Sequence, residues 1–199
     1  MSRALRRQAP GAIYHLMSRG VRKLPIFTDD EDRVIFLRML SETVRVFGWR
    51  CPAYCLMTNH YHAVVVTPEP NIGMGMKRLN GLYAQNFNRR HGFRGHLFED
   101  RYRSIDVVSD EQFMTLLQYV VLNPVQSGMC AGPDQWPWSS YRATVGTVPA
   151  PRFLDVAGVL RWFDADDARA RQLYRSSVYS RLELRRAAIP PAEAARQVS

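Results

Sequence analysis

The apolar and polar positions mark out a short series of elements. Residues 12–18 (AIYHLMS) read as a first strand. A basic turn follows, holding Arg19, Gly20, Arg22, Lys23 and Pro25. Thr28 with Glu31 three residues on has the form of a capping box. Behind it Phe36, Leu37, Leu40, Val44 and Phe47 recur at helical spacing, and Gly48 stops the helix. Two strand-like runs, 49–57 and 60–67, are separated by Thr58 and Asn59, the spacing of a hairpin, and Pro68 and Pro70 close the second. A second helix is predicted over about 75–90, with Met76, Leu79, Leu82, Tyr83 and Phe87 on one face and Gly92 after it. A ribbon of arginines and aromatics then leads into a strand through Val108.

This order, β-α-β-β-α-β, is the ferredoxin-like split pattern and predicts an α+β core with an antiparallel sheet. A third helix begins with Ser109 as cap and Gln112 as its partner, carries Phe113, Leu116, Leu117 and Val120 inward, and is expected to end near Asn123, because a following proline disfavours helical dihedrals. The segment from Trp136 to Tyr141 reads as a turn packing aromatics onto the domain. From about Pro151 the composition shifts to Ala, Arg and Asp with helical potential. The division expected is thus a domain over 1–150 and a helical, basic C-terminal extension over 151–199, the last dozen residues disordered.

Charge adds a partner to this picture. The 199 residues carry 27 Lys and Arg against 18 Asp and Glu, a formal net charge of +9, which favours a polyanion such as nucleic acid. A merely soluble basic protein is the alternative. Cys51, Cys55 and Cys130 form no CxxC pair and fit reduced thiols. The N-terminal stretch is basic but lacks an apolar run of signal-peptide length, and the longest aliphatic run, around 63–66, is far too short for a bilayer. A cytoplasmic, nucleoid-associated protein is expected.

His60-Tyr61-His62 opens a predicted strand, so both imidazoles project from one face about 6.5–7 Å apart at the backbone and can converge on a cation. A chance pair is the alternative. Two ligands hold a catalytic metal poorly. On the third helix Tyr119 and Asn123 stand at i and i+4, on one face a turn apart, where Asn can supply an oxygen and Tyr a nucleophile. Taken alone, the pair reads more readily as a core-edge tyrosine with its hydroxyl at the surface and a helix-ending asparagine. Tyr83 is a rival nucleophile, without a ligand at i+4, where Phe87 sits. His15, His91 and His96 have no assigned role.

The His-x-His strand, the Tyr-x-x-x-Asn helix running into Leu-Asn-Pro and the ferredoxin-like order together resemble the HUH single-strand transposases with one catalytic tyrosine, in particular the REP-associated tyrosine transposases. The stretches Tyr14 to Gly20, Asn59 to His62, Phe87 to Gly92, Gly95 to Phe98 leading to Arg101-Tyr102, Tyr119 to Pro124 and Trp138 to Tyr141 carry the likeness, over about residues 12–142. It implies that His60 and His62 bind a divalent metal with Asn123 as third ligand, and that Tyr119 is the nucleophile. Related mobile-element enzymes often carry Gln at the place of Asn123. It also implies a substrate of single-stranded palindromic repeats, read as hairpins with a flanking tetranucleotide, and a monomer where mobile relatives are dimers that exchange the tyrosine helix.

Such chemistry suits these parts. A phenol with a pKa near 10 is a poor nucleophile at neutral pH, and a divalent ion stabilises the developing phenolate. A mixed imidazole and oxygen shell suits Mg²⁺ or Mn²⁺, with zinc as the alternative. Attack on phosphorus leaves a 5′-phosphotyrosine that a hydroxyl later reseals. DNA contacts are expected from Arg19, Arg22, Lys23, Lys77, Arg78, Arg89, Arg90, Arg94, Arg101 and Arg103, with Phe93, Phe98 or Tyr102 stacking on unpaired bases. The C-terminal extension is expected to add hairpin-binding surface or to cover the active site. Two other functions share the scaffold: a non-catalytic, repressor-like DNA-binding protein, and a metal phosphodiesterase using activated water.

Overall fold

The computed structural model describes residues 8–188. Its elements are β1 (Ala12–Arg19), α1 (Asp30–Phe47), β2 (Arg50–Leu56), β3 (His60–Thr67), α2 (Ile72–His91), β4 (Arg103–Val107), α3 (Asp110–Gln126), α4 (Tyr141–Thr144), α5 (Val156–Leu160) and α6 (Asp167–Ala188). The four strands form one sheet in the order β2-β3-β1-β4, every neighbouring pair antiparallel. The expected β-α-β-β-α-β core is therefore present.

Strand alternation divides the sheet into two faces. Tyr14 and Leu16 of β1 and Tyr61, Ala63 and Val65 of β3 join the cluster beneath α1 and α2, with Phe36, Leu40, Met76, Leu79, Tyr83 and Phe87. Val64 on β3 and Ala53, Cys55 and Met57 from β2 and its end join the opposite cluster, under α3 and α6. A register shift in β2 between Arg50 and Ala53 lets both Cys51 and Tyr54 face α1 and α2 although their parity differs. The even residues of β3 thus look toward α3, and this decides where the two histidines go. Val159, Tyr174, Val178 and Leu182 of α5 and α6 are buried in the same cluster as Phe113, Leu117 and Val120 of α3. Of the last dozen residues, expected to be disordered, 189–199 lie outside the described range.

Several boundaries differ from expectation. The cap of α1 is Asp29, not Thr28: the Asp29 carboxylate accepts from the Asp32 amide, and Thr28 instead donates its own amide and hydroxyl to Asp32. Asp29, one residue later, stands where its carboxylate accepts from a free amide of the first turn, and aspartate caps at least as well as threonine. Ser109 does cap α3, accepting from Gln112, while Gln112 turns its amide oxygen to the Val108 amide. On α2, Leu82 is exposed at 39% although its periodicity points inward. The helix α3 does not stop at Asn123 but runs to Gln126 with Pro124 inside it. Proline sacrifices one bond at its own nitrogen, and the carbonyls of Asn123 and Pro124 still find the amides of Ser127 and Met129.

Candidate active site

Two strand positions and one helix face converge on the α3 side of the sheet. His60 and His62 enter from β3 with ring centroids 5.0 Å apart. Tyr119 meets them from α3, its ring 5.7 Å from that of His62 and nearly perpendicular to it. Asn123, one turn further, is buried at 7% and donates its amide to the Tyr119 carbonyl at 2.8 Å, which leaves its oxygen as an acceptor. All four line one cleft of about 610 Å³, together with Arg19, Arg101 and Arg103. The four residues singled out in sequence are thus neighbours within one chain.

Burial sets the electrostatics. The His62 ring is held at about 2, far below the usual imidazole value, first by desolvation and then by the neighbouring imidazoles His15 and His60. His60 is lowered by burial and by Arg19. Both rings are therefore neutral at pH 7, the form that offers a lone pair to a cation. His60 Nδ1 pairs with Asn59 Oδ1 at 2.7 Å, which frees its Nε2. The Nε2 of His62 is buried and has no hydrogen-bond partner among the described residues. An orphaned buried ring nitrogen costs free energy unless something fills its place, and a bound cation would fill it.

Among the described residues no group of three His, Cys, Asp or Glu side chains is arranged to hold a metal ion. Were a cation bound by His60 and His62, the amide oxygen of Asn123 would be a further donor lining the same cleft. Two histidines plus an amide oxygen fit a borderline-hard divalent ion that keeps water or phosphate in its remaining positions.

The expected DNA contacts are spread unevenly. Arg19, Arg101 and Arg103 line the cleft. Lys77 lines an adjoining hollow of about 750 Å³ that shares Arg101 with it. Arg22, Lys23, Arg78, Arg89 and Arg94 are exposed outside both. Arg90 is differently placed: its guanidinium is engaged by Asp29, Glu31 and Asp32 at 2.6–2.8 Å, tying the end of α2 to the start of α1. Arg19 meets Glu99 at 2.7 Å on the rim. Of the aromatics, Tyr102 is buried and Phe98 packs on Tyr61 and Tyr83, whereas Phe93 is 58% exposed. Tyr83 lies on the opposite face of the sheet, fully buried, its hydroxyl donating to the Ile26 carbonyl, so it cannot reach the histidines.

Two participants escaped the sequence reading. His15 lies beside His62, the rings 23° from parallel with centroids 5.1 Å apart, and His15 Nε2 is 2.9 Å from His62 Nδ1. Antiparallel pairing of β1 with β3 would have shown it, since Met17 opposes His62 and His15 is one alternate position away on the same face. Arg185 of α6 places its guanidinium carbon 5.9 Å over the Tyr119 ring. No local signal marks that arginine among the many of α6.

Known proteins share this plan. The model of the IS200-like transposases matches residues 9–123. No curated protein sequence matches the chain. A REP-associated tyrosine transposase solved bound to a REP hairpin superposes with a TM-score of 0.63 at 16% identity, over 76% of this chain and 89% of that one. A putative transposase from Deinococcus radiodurans R1 gives 0.42 at 19% identity, covering 60% and 94%. The tRNA(His) guanylyltransferase of Saccharomyces cerevisiae gives 0.45 at 7%, covering 85% and 79%, too loose a likeness for any conclusion.

Fold and family together define a transposase built on a ferredoxin-like sheet. The chain belongs to the IS200-like transposase family. Among the described residues no helix is long and apolar enough to cross a membrane.

Proposed function

We propose that this transposase cleaves and rejoins single-stranded DNA with Tyr119 as nucleophile, at a site where His60, His62 and Asn123 hold a divalent cation, Mg²⁺ or Mn²⁺. The observation that carries the reading is the edge-on meeting of the Tyr119 ring with His62, which has His60 as its neighbour and a buried, unpartnered Nε2. When bound, such an ion withdraws charge from the non-bridging phosphate oxygens and from the developing phenolate.

The residues of the chain do the rest. Tyr119 rises from α3 beside the cleft, half-buried, so a phosphate entering the cleft meets its hydroxyl. Arg101 and Arg103 steady that phosphate by charge-assisted contacts. The phenol oxygen forms a bond to phosphorus and its proton passes to water in the open cleft. The bond from phosphorus to the 3′ oxygen breaks, and that oxygen takes up a proton from water. A 5′-phosphotyrosine and a free 3′-hydroxyl result, and attack by a 3′-hydroxyl on the phosphotyrosine reverses the sequence and reseals the strand.

Hairpin DNA is the substrate class. A likeness in fold to a protein solved with a REP hairpin supports this, as does the charge of +9. Arg19, Arg22, Lys23, Lys77, Arg78, Arg89, Arg94, Arg101 and Arg103 are its proposed contacts, with Phe93 as the ring available for stacking. Arg90 is omitted, being committed to three carboxylates. The four proposed site residues line one cleft of a single chain, which supports a monomer. We place the protein in the cytoplasm beside the nucleoid.

The test is a denaturing gel of labelled hairpin DNA incubated with the protein and Mn²⁺. A covalent protein–DNA band that disappears in Tyr119→Phe is expected. Cleavage surviving in Tyr119→Phe would instead indicate attack by water, and binding without cleavage a non-catalytic protein.

A further inference from the structure

His15 takes no part in the scheme above, yet it is among the more constrained groups of the molecule. It sits on the central strand β1, 6% exposed. Its ring lies nearly parallel to that of His62, 23° apart, and edge-on to Tyr119 at 5.9 Å. Its Nε2 is 2.9 Å from His62 Nδ1.

At that distance one nitrogen must donate and the other accept. If His62 offers a cation the lone pair of its Nε2, its single proton must sit on Nδ1. The Nδ1–H then donates to His15 Nε2, and His15 carries its own proton on Nδ1. Resting on the metal reading just given, we infer that His15 is a positioning residue: it holds His62 in the Nδ1–H tautomer and fixes the plane of the ring, so that the orphaned Nε2 is presented as a ligand. Ligand histidines ordinarily make this outer bond to a carboxylate, a carbonyl or water. Here the acceptor is an uncharged ring that brings no anion into a buried place, and whose in-line hydrogen bond to Nδ1 opposes the turning of His62 about its side-chain bond. The same ring flanks Tyr119, so one residue orders both the ligand and the seat of the nucleophile.

The experiment measures Mn²⁺ affinity of the full chain without DNA, by the electron paramagnetic resonance of free Mn²⁺, beside the tautomer of His62 in the metal-free protein from long-range ¹H–¹⁵N spectra. His62→Ala is expected to abolish the site. His15→Phe, which fills the space without an acceptor, should weaken Mn²⁺ by about 10–100-fold. His15→Gln, whose Oε1 can stand where Nε2 was, should recover most of the affinity. Wild-type His62 should show the Nδ1–H form. The inference is overturned if His15→Phe binds Mn²⁺ as the wild type does while His62→Ala does not, or if wild-type His62 carries its proton on Nε2. Equal binding by wild type and His62→Ala would instead remove the metal assignment itself. Should His15→Phe fail to fold, the tautomer of wild-type His62 decides alone.

Discussion

At the scale of single residues, face and burial separate functional groups from structural ones of the same type. Tyr119 and Tyr83 are both helical tyrosines near the sheet, but only Tyr119 shares a face with His60 and His62. Tyr83→Phe is expected to keep full cleavage and to lose about 1 kcal/mol of stability with its bond to Ile26, read by urea melts. His60→Ala or His62→Ala should abolish cleavage yet keep most hairpin affinity, because phosphate contacts supply that; a parallel loss of both would contradict the assignment. Asp32 shows the structural side of the same logic. Its burial opposes the charged form, but bonds from His91, Thr28 and Arg90 outweigh this and hold its carboxyl below the ordinary value. A lowered folded pKa gives stability that is complete above the unfolded value near 4 and lost as pH falls through the folded one. Asp32→Asn should therefore lower the melting temperature at pH 7, with the gap to wild type closing below about pH 4. A gap independent of pH would show that the charge is not what matters.

At the scale of elements, packing decides what propensity leaves open. Gly75 on α2 faces Trp49, and a Cβ there would lie 2.1 Å from the indole ring. Gly75→Ala should accordingly cost about 1–3 kcal/mol despite alanine's better helix propensity, because the core must shift to admit it; a thermal melt unchanged or raised would refute this contact. Such contacts also explain what could be read from the chain. The strands were legible because their apolar runs are bounded by turn residues, and α1 and α2 because Gly48 and Gly92 take left-handed dihedrals at their ends. The end of α3 was not, since a rule about the residue before proline ignores the tertiary support that carries the helix past Pro124. His60, His62, Tyr119 and Asn123 could be found by spacing within single elements. His15 needed strand register, Arg185 needed the docking of α6, and the commitment of Arg90 needed the α1–α2 contact, none of which local periodicity contains.

At the scale of the molecule, a sheet with helices on both faces places a basic cleft over the four site residues. If phosphate contacts dominate hairpin binding, log affinity should fall linearly with log salt, and Arg101→Ala or Arg103→Ala should each reduce that slope by about 1. Because one chain brings all four residues together, mixing His60→Ala with Tyr119→Phe protein should restore no cleavage; recovery would reveal an exchanged tyrosine helix. The proposed chemistry turns on which side chain becomes joined to DNA. Protease digestion of the covalent adduct, followed by mass spectrometry of the nucleotide-bearing peptide, measures this directly. The nucleotide should lie on the peptide holding Tyr119, attached through its phenol oxygen; attachment at any other residue would contradict the proposed chemistry.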